Sequence, residues 1–247
     1  MNSIRTIVSK DVGRFFSQLG SVTTLVIFYV ILGLILWFVP GYGLLDGYYA
    51  NLDLFFTYAP VLLVFLIPAL NMDALSGEIA GGTLDLLLIR PVTALQIILA
   101  KFLSGLVIIL IGLLPSLLYV ISVYYLANPT GNVDLGGVWG SYIGLLLLIL
   151  VFTAISLFAS SVIPVPMTAL MLAIFLCAFW YWAFYLVSSL PVFYGVWDYW
   201  IQYLGLDFHY EELGKGLIPL SSIVYVLSLT WLFSQLTWWR IQNIRYR

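Results

Sequence analysis

An all-α polytopic membrane protein with six transmembrane helices is the fold class this sequence predicts, and three observations carry it. Apolar residues make up 63% of the chain, charged residues 8%, and the mean hydropathy is +1.10, whereas a soluble globule carries about 25% charged residues. A membrane helix needs about 20 apolar residues, and the 247 residues hold six such runs, near 21–39, 54–71, 97–126, 140–163, 165–189 and 217–239. None of these runs shows the strict alternation of a barrel strand. Hydrocarbon offers the backbone no other partners, so each run must close its hydrogen bonds as a helix. Little chain remains for a separate soluble unit, and residues 1–247 read as a single transmembrane domain.

Residues 1–20 are expected to form an interfacial helix rather than a cleaved leader, because charges run to Arg14 and a full-length span follows with no small-residue cleavage pattern. Ile4, Val8, Val12, Phe15, Phe16 and Leu19 recur at three- and four-residue spacing, with Arg5, Lys10, Arg14 and Ser17 on other faces. Such a helix should lie along the leaflet.

Basic residues set the orientation. Arg5, Lys10 and Arg14 precede the first span, Arg90 and Lys101 lie between the second and third, and Arg240, Arg245 and Arg247 follow the sixth. Only Lys215 falls on the other side, with Asp46, Asp53, Asp134, Asp198, Asp207, Glu211 and Glu212. Both termini are therefore expected in the cytoplasm, and the formal net charge of −2 gives no reason to expect a nucleic-acid partner. The basic ends serve topology and lipid headgroups.

The spans are nearly free of ionisable groups. Lys101 sits near the start of the third span, where it can snorkel to the interface, and no Asp, Glu, Arg or His lies mid-span. This argues against a proton relay, an ion-coupled carrier or a membrane protease. Cys177 stands alone in the fifth span and reads as packing. His209, the single histidine, falls in an external segment beside Asp207, Glu211 and Glu212; a metal site there would need ligands converging from a loop. The surrounding residues 191–216 carry Phe193, Tyr194, Trp197, Tyr199, Trp200, Tyr203, Phe208 and Tyr210, which suits helices lying at the outer interface, with a stacking platform as the alternative.

The segment between the second and third spans is the most informative. Gly81 and Gly82 interrupt a helix leaving the membrane. Thr83 suits an N-cap, Asp85 falls in the first turn and Arg90 near the end, matching the helix dipole, and Pro91 stops the helix. Leu84, Leu87 and Leu88 form an apolar patch that either seats in a groove on a partner or packs on the ends of its own bundle. Thr93 and Gln96 then make a capping box opening a third helix that runs to Leu126, roughly 50 Å, long enough to project past the bilayer. Gly112 with Pro115, and Pro60 with Pro68, mark places where helices bend, statically or in a cycle.

At Glu78, Gly82, Thr83, Leu84, Asp85, Leu86, Leu87, Leu88, Pro91 and Lys101 the chain resembles the permeases of type 2 ABC exporters. More narrowly, FFTYAPVLLVFLIPALNM from Phe55, NPTGNVDLGGVWGSYIGLL from Asn128 and GLDFHYEELGKG from Gly205 resemble the gliding-motility-associated ABC transporter permease subunits of Bacteroidota, the GldF type. The resemblance implies a bacterial inner-membrane half-transporter in which residues 78–91 are the coupling segment. Glu78, Gly82, Thr83, Leu84, Asp85, Leu87, Leu88, Arg90 and Pro91 would then meet an ATP-binding subunit. It also implies a second permease bundle, identical or different, facing this one. The chain has no Walker A loop, so it binds no cofactor itself and is not an enzyme; ATP and Mg would be held by the partner subunit. Two departures stand out. Ile79 and Ala80 replace charged residues common in the family, and Ser160–Met167, reading SSVIPVPM, lacks the expected polar residues. The competing readings are a membrane scaffold that anchors an ATPase-driven assembly without transporting and, behind it, a membrane-embedded enzyme with His209 as its titrating group.

Overall fold

The computed structural model describes residues 2–38, 52–83, 93–193 and 195–245. Within them it contains helices and turns and no strand. Among the described residues, six helical runs are long and apolar enough to cross a membrane: Leu19–Phe38, Asp53–Ala80, Ala94–Leu126, Leu135–Val162, Pro166–Ser188 and Leu220–Ile244. The expected spans coincide with these to within a few residues, except that the second continues to Ala80 and the last starts and ends later.

The helices are α1 (Asn2–Ser17), α2 (Leu19–Phe38), α3 (Asp53–Asn71), α4 (Ser76–Ala80), α5 (Ala94–Leu113), α6 (Leu117–Leu126), α7 (Leu135–Val162), α8 (Pro166–Ala178), α9 (Phe184–Ser188), α10 (Val196–Gln202), α11 (Leu206–Gly214) and α12 (Leu220–Arg245). Local chemistry accounts for several of their ends. The Thr93 hydroxyl accepts from the Gln96 amide at 3.3 Å while the Gln96 side chain accepts from the Thr93 amide at 3.1 Å, so the capping box opens α5 as expected. Asp134 caps α7 through the Gly137 amide at 3.1 Å. The third span is not one unbroken helix. Pro115 has no amide to give, and the run tightens into a 3₁₀ turn at Leu114–Ser116 before α6, with the Tyr29 hydroxyl donating to the Gly112 carbonyl beside it. By contrast α3 stays helical through both Pro60 and Pro68. Between α8 and α9 the fifth span widens into a π-turn at Phe179–Ala183.

The bundle is built around α7. In its most apolar stretch 72% of residues are buried, against 17% for the fifth span, whose sides face outward. Helices α3, α5, α8, α11 and α12 all pack on α7. Its sequence explains how so many neighbours fit: Gly140 and Gly144 stand one turn apart on the face that α11 covers. A side chain at Gly140 would strike the Leu213 carbonyl, and one at Gly144 would come within 2.8 Å of the Tyr210 ring. The Tyr210 hydroxyl then reaches the Phe56 carbonyl at 2.8 Å, tying α11 to the start of α3. Helix α1 does not simply float on the leaflet; it packs along α5, with Phe15 buried and Val12 against the core.

Candidate functional site

At the α1 end of the bundle, the chain leaving α3 makes a tight turn over Met72–Leu75 and enters the five-residue helix α4. Amides at the start of a helix have no partner within it. Ser160, near the end of α7, supplies one: its hydroxyl accepts from the Leu75 amide at 3.0 Å and the Ser76 amide at 2.9 Å and donates to the Met72 carbonyl at 2.9 Å. One side chain thus fastens the α3–α4 turn to the central helix. The Ser160–Met167 string, apparently poor in contacts, holds the turn through its first residue.

Glu78 lies on α4 and meets Lys101 of α5, whose ammonium donates to Glu78 Oε1 at 2.6 Å. The same ammonium is 3.0 Å from Asp11 Oδ2 on α1. Lys101 is therefore not snorkelling to an interface. Only 7% of its side chain is exposed, with 15% for Glu78 and 17% for Asp11, because α1 and α4 close over it. Burying an ammonium is tolerable only with a carboxylate beside it, and here two share one cation, leaving the triad with a net negative charge. Glu78 Oε2 is buried without a hydrogen-bond partner among the described residues. The triad forms one wall of a cavity of about 180 Å³ whose other walls include Arg14, Gln18, Asn71, Asp73 and Ser104.

Beyond α4, Gly82 takes φ +64°, a left-handed conformation that a side chain would strain. Thr83 follows, its hydroxyl donating back to the Glu78 carbonyl at 3.3 Å. Of the coupling residues read from the sequence, Glu78, Gly82 and Thr83 sit together at this corner, while Leu84, Asp85, Leu87, Leu88, Arg90 and Pro91 lie outside the described residues. Two partners escaped the sequence reading. Ser160 gave no local signal. Asp11 did, because it falls on the inward stripe of α1 between Val8 and Phe15, where a lone carboxylate needs a cation.

At the opposite end, His209 is not in a loop. It is a buried residue of α11, and both ring nitrogens are taken, by Ser222 Oγ and by the Tyr203 carbonyl. Its neighbour Asp207 is bonded to Tyr181 of the π-turn, and burial pushes the Asp207 carboxyl above the usual range.

Residues 7–193, from α1 through the fifth span, match the family described as ABC-2 family transporter protein. The chain belongs to the ABC-2 transporter family. No curated protein matches it. As an ABC-2 permease it is a multi-pass membrane subunit of an ABC transporter, a family whose membrane subunits work with an ATP-binding partner. The Glu78 corner lies within the matched residues, whereas α10, α11 and α12 follow them.

Proposed function

We propose that this permease is driven by a separate ATP-binding subunit, which carries the ATP and Mg and seats against residues 82–91, with Leu84, Leu87 and Leu88 entering an apolar cleft and Thr83, Asp85, Arg90 and Pro91 fixing the short helix. Glu78 and Gly82 connect that helix to the bundle. Both termini and this corner face the cytoplasm of a bacterial inner membrane, in keeping with the distribution of Arg and Lys along the chain. A second permease bundle completes the transporter.

The observation that carries the reading is the fastening of α4: to α5 and α1 through Glu78, Lys101 and Asp11, and to α7 through Ser160. A push on residues 82–91 reaches three helices through short polar links instead of being absorbed by a slack loop. Closure of the ATPase would then tilt the bundle as a rigid body between two states. A role in gliding-motility or secretion machinery is part of this proposal and rests on the resemblance of the strings from Phe55, Asn128 and Gly205 to the gliding-motility permeases.

Affinity purification of the tagged chain from native membranes in mild detergent tests the reading. An ATP-binding subunit should copurify, and Leu87→Asp should abolish its recruitment while leaving membrane insertion intact, because the substitution puts an unpaired charge into an apolar cleft. Normal copurification with the mutant sinks the coupling assignment. Recovery with partners lacking ATPase activity turns the reading to a non-transporting scaffold. Unimpaired gliding in a host lacking the chain removes the motility role alone.

A further inference from the structure

The chain has a single histidine, and His209 is built into a chain of hydrogen bonds whose direction depends on its ionisation. Nε2 lies 2.9 Å from the Tyr203 carbonyl, which can only accept, so Nε2 carries a proton in both states. Nδ1 lies 2.8 Å from Ser222 Oγ, and that hydroxyl is 3.1 Å from Glu212 Oε2. Ser222 is fully buried and has one proton to give. When the imidazole is neutral, Nδ1 is a bare acceptor and competes with the Glu212 carboxylate for that proton. When the ring is an imidazolium, Nδ1–H donates to Ser222 Oγ, the serine proton goes to Glu212, and every group is satisfied.

We propose that His209, Ser222 and Glu212 form a proton-binding latch between α11 and α12, in which uptake of one proton from water on Nδ1 reverses the Ser222 hydroxyl and completes a continuous chain to Glu212.

The surroundings leave these groups to act on one another. On α11, Glu212 is the carboxylate that favours the charged ring, while Asp207 is bonded to Tyr181 and Glu211 acts on that pair. From α12, Tyr225 lays its ring over the imidazole at a centroid distance of 4.5 Å and 28°, a face that favours a cation. Tyr203, just past α10, meets the ring edge-on at 4.9 Å, and Asp198 on α10 is turned to the Tyr199 amide. On α7, Asp134 caps its own helix and Tyr142 is bonded to Ser116. Burial lowers the His209 pKa from its ordinary value of 6.5 against the pull of Tyr203 and Glu212, so the latch fills below that value.

A lone histidine makes the test direct. The full chain, carrying ¹⁵N- and ¹³C-labelled histidine in bilayer nanodiscs, is titrated and its one set of ring resonances followed. The expected result is an Nε2–H tautomer in the neutral state, a midpoint below pH 6.5, and a midpoint lowered by about half a unit or more in Glu212→Gln. In Ser222→Ala the neutral Nδ1 loses its donor, and its resonance moves toward that of a free ring nitrogen. An Nδ1–H neutral tautomer overturns the latch. So does a midpoint indifferent to Glu212→Gln in protein that melts like the wild type, or an Nδ1 resonance unmoved by Ser222→Ala.

Discussion

Asn71 fills the space that a side chain on Gly105 would need: its Oδ1 lies well inside contact distance of the point where a Cβ would stand, and the Thr153 methyl is 3.2 Å from the same point. Helices α3, α5 and α7 meet here. Asn71, only 2% exposed, keeps its place by donating to the Ile67 carbonyl at 2.9 Å.

Gly105→Ala should therefore destabilise the bundle by about 1–3 kcal/mol, the range for an overpacked core. Asn71→Ala would vacate the space at the loss of one buried hydrogen bond. The two changes are coupled, so the double variant should melt above the sum expected from the singles, read as thermal unfolding in detergent. Strict additivity would show that the two side chains do not share the space.

Lys101→Met should destabilise strongly, by about 3–5 kcal/mol, because it leaves the Glu78 and Asp11 carboxylates buried without their cation. Replacing all three as Asp11→Asn, Glu78→Gln and Lys101→Met removes the charges together and should recover much of that loss. If the corner transmits force as proposed, the triple variant will insert and recruit the ATPase yet hydrolyse ATP without responding to the bundle. A triple variant no more stable than Lys101→Met would mean the charges do not act as a unit.

Ser160→Ala leaves the Leu75 and Ser76 amides at the α3–α4 turn without their shared acceptor, while the Met72 carbonyl keeps the Ser76 hydroxyl, at about 1–3 kcal/mol for buried groups left unpaired. The effect should be local. Hydrogen exchange at Leu75 and Ser76 is expected to speed up, while exchange along the middle of α7 stays slow. Uniform acceleration across the bundle would point to global loosening instead.

Which parts of this molecule could be read from sequence depends on the range of the interaction. Spans announce themselves by length and composition, and the Thr93–Gln96 box needs only residues three apart, so both are legible. The Gly112–Pro115 pair marks the turn at Leu114–Ser116 for the same reason, since the missing proline amide is a local fact. Lys101 was legible as an unusual charge but not in its pairing. Its partners come from α1 and α4, and nothing local distinguishes a lysine that snorkels from one covered by two helices. Ser160 was hidden for a stronger reason: a serine among apolar residues has many uses, and this one depends on a turn more than eighty residues away. His209 falls within the 191–216 stretch read as helical, and α11 is one of those helices, but its burial was not legible because its partners Ser222 and Tyr203 come from α12 and from the turn after α10.

Asp207 offers a pH test free of the membrane interior. Burial raises its pKa above the ordinary 3.8, partly opposed by the hydrogen bond from Tyr181, and Glu211 raises it further. The folded chain therefore holds this proton more tightly than the unfolded chain does. The sign follows: the group costs nothing below pH 3.8, where both states are protonated, and its ionisation lowers stability as pH rises through the shifted value. Asp207→Asn keeps a hydrogen-bonding partner for Tyr181 without the charge. It should melt above the wild type at neutral pH, with the advantage shrinking as the solution is acidified toward the ordinary carboxylate range. His209 carries the opposite sign, because its lowered pKa makes stability fall with acidification. The comparison is therefore best made in a His209→Gln background, where the difference between the proteins with and without Asp207→Asn carries no histidine contribution. An advantage of Asp207→Asn that grew on acidification would show that the carboxylate is favoured in its charged form and that the Tyr181 bond outweighs burial.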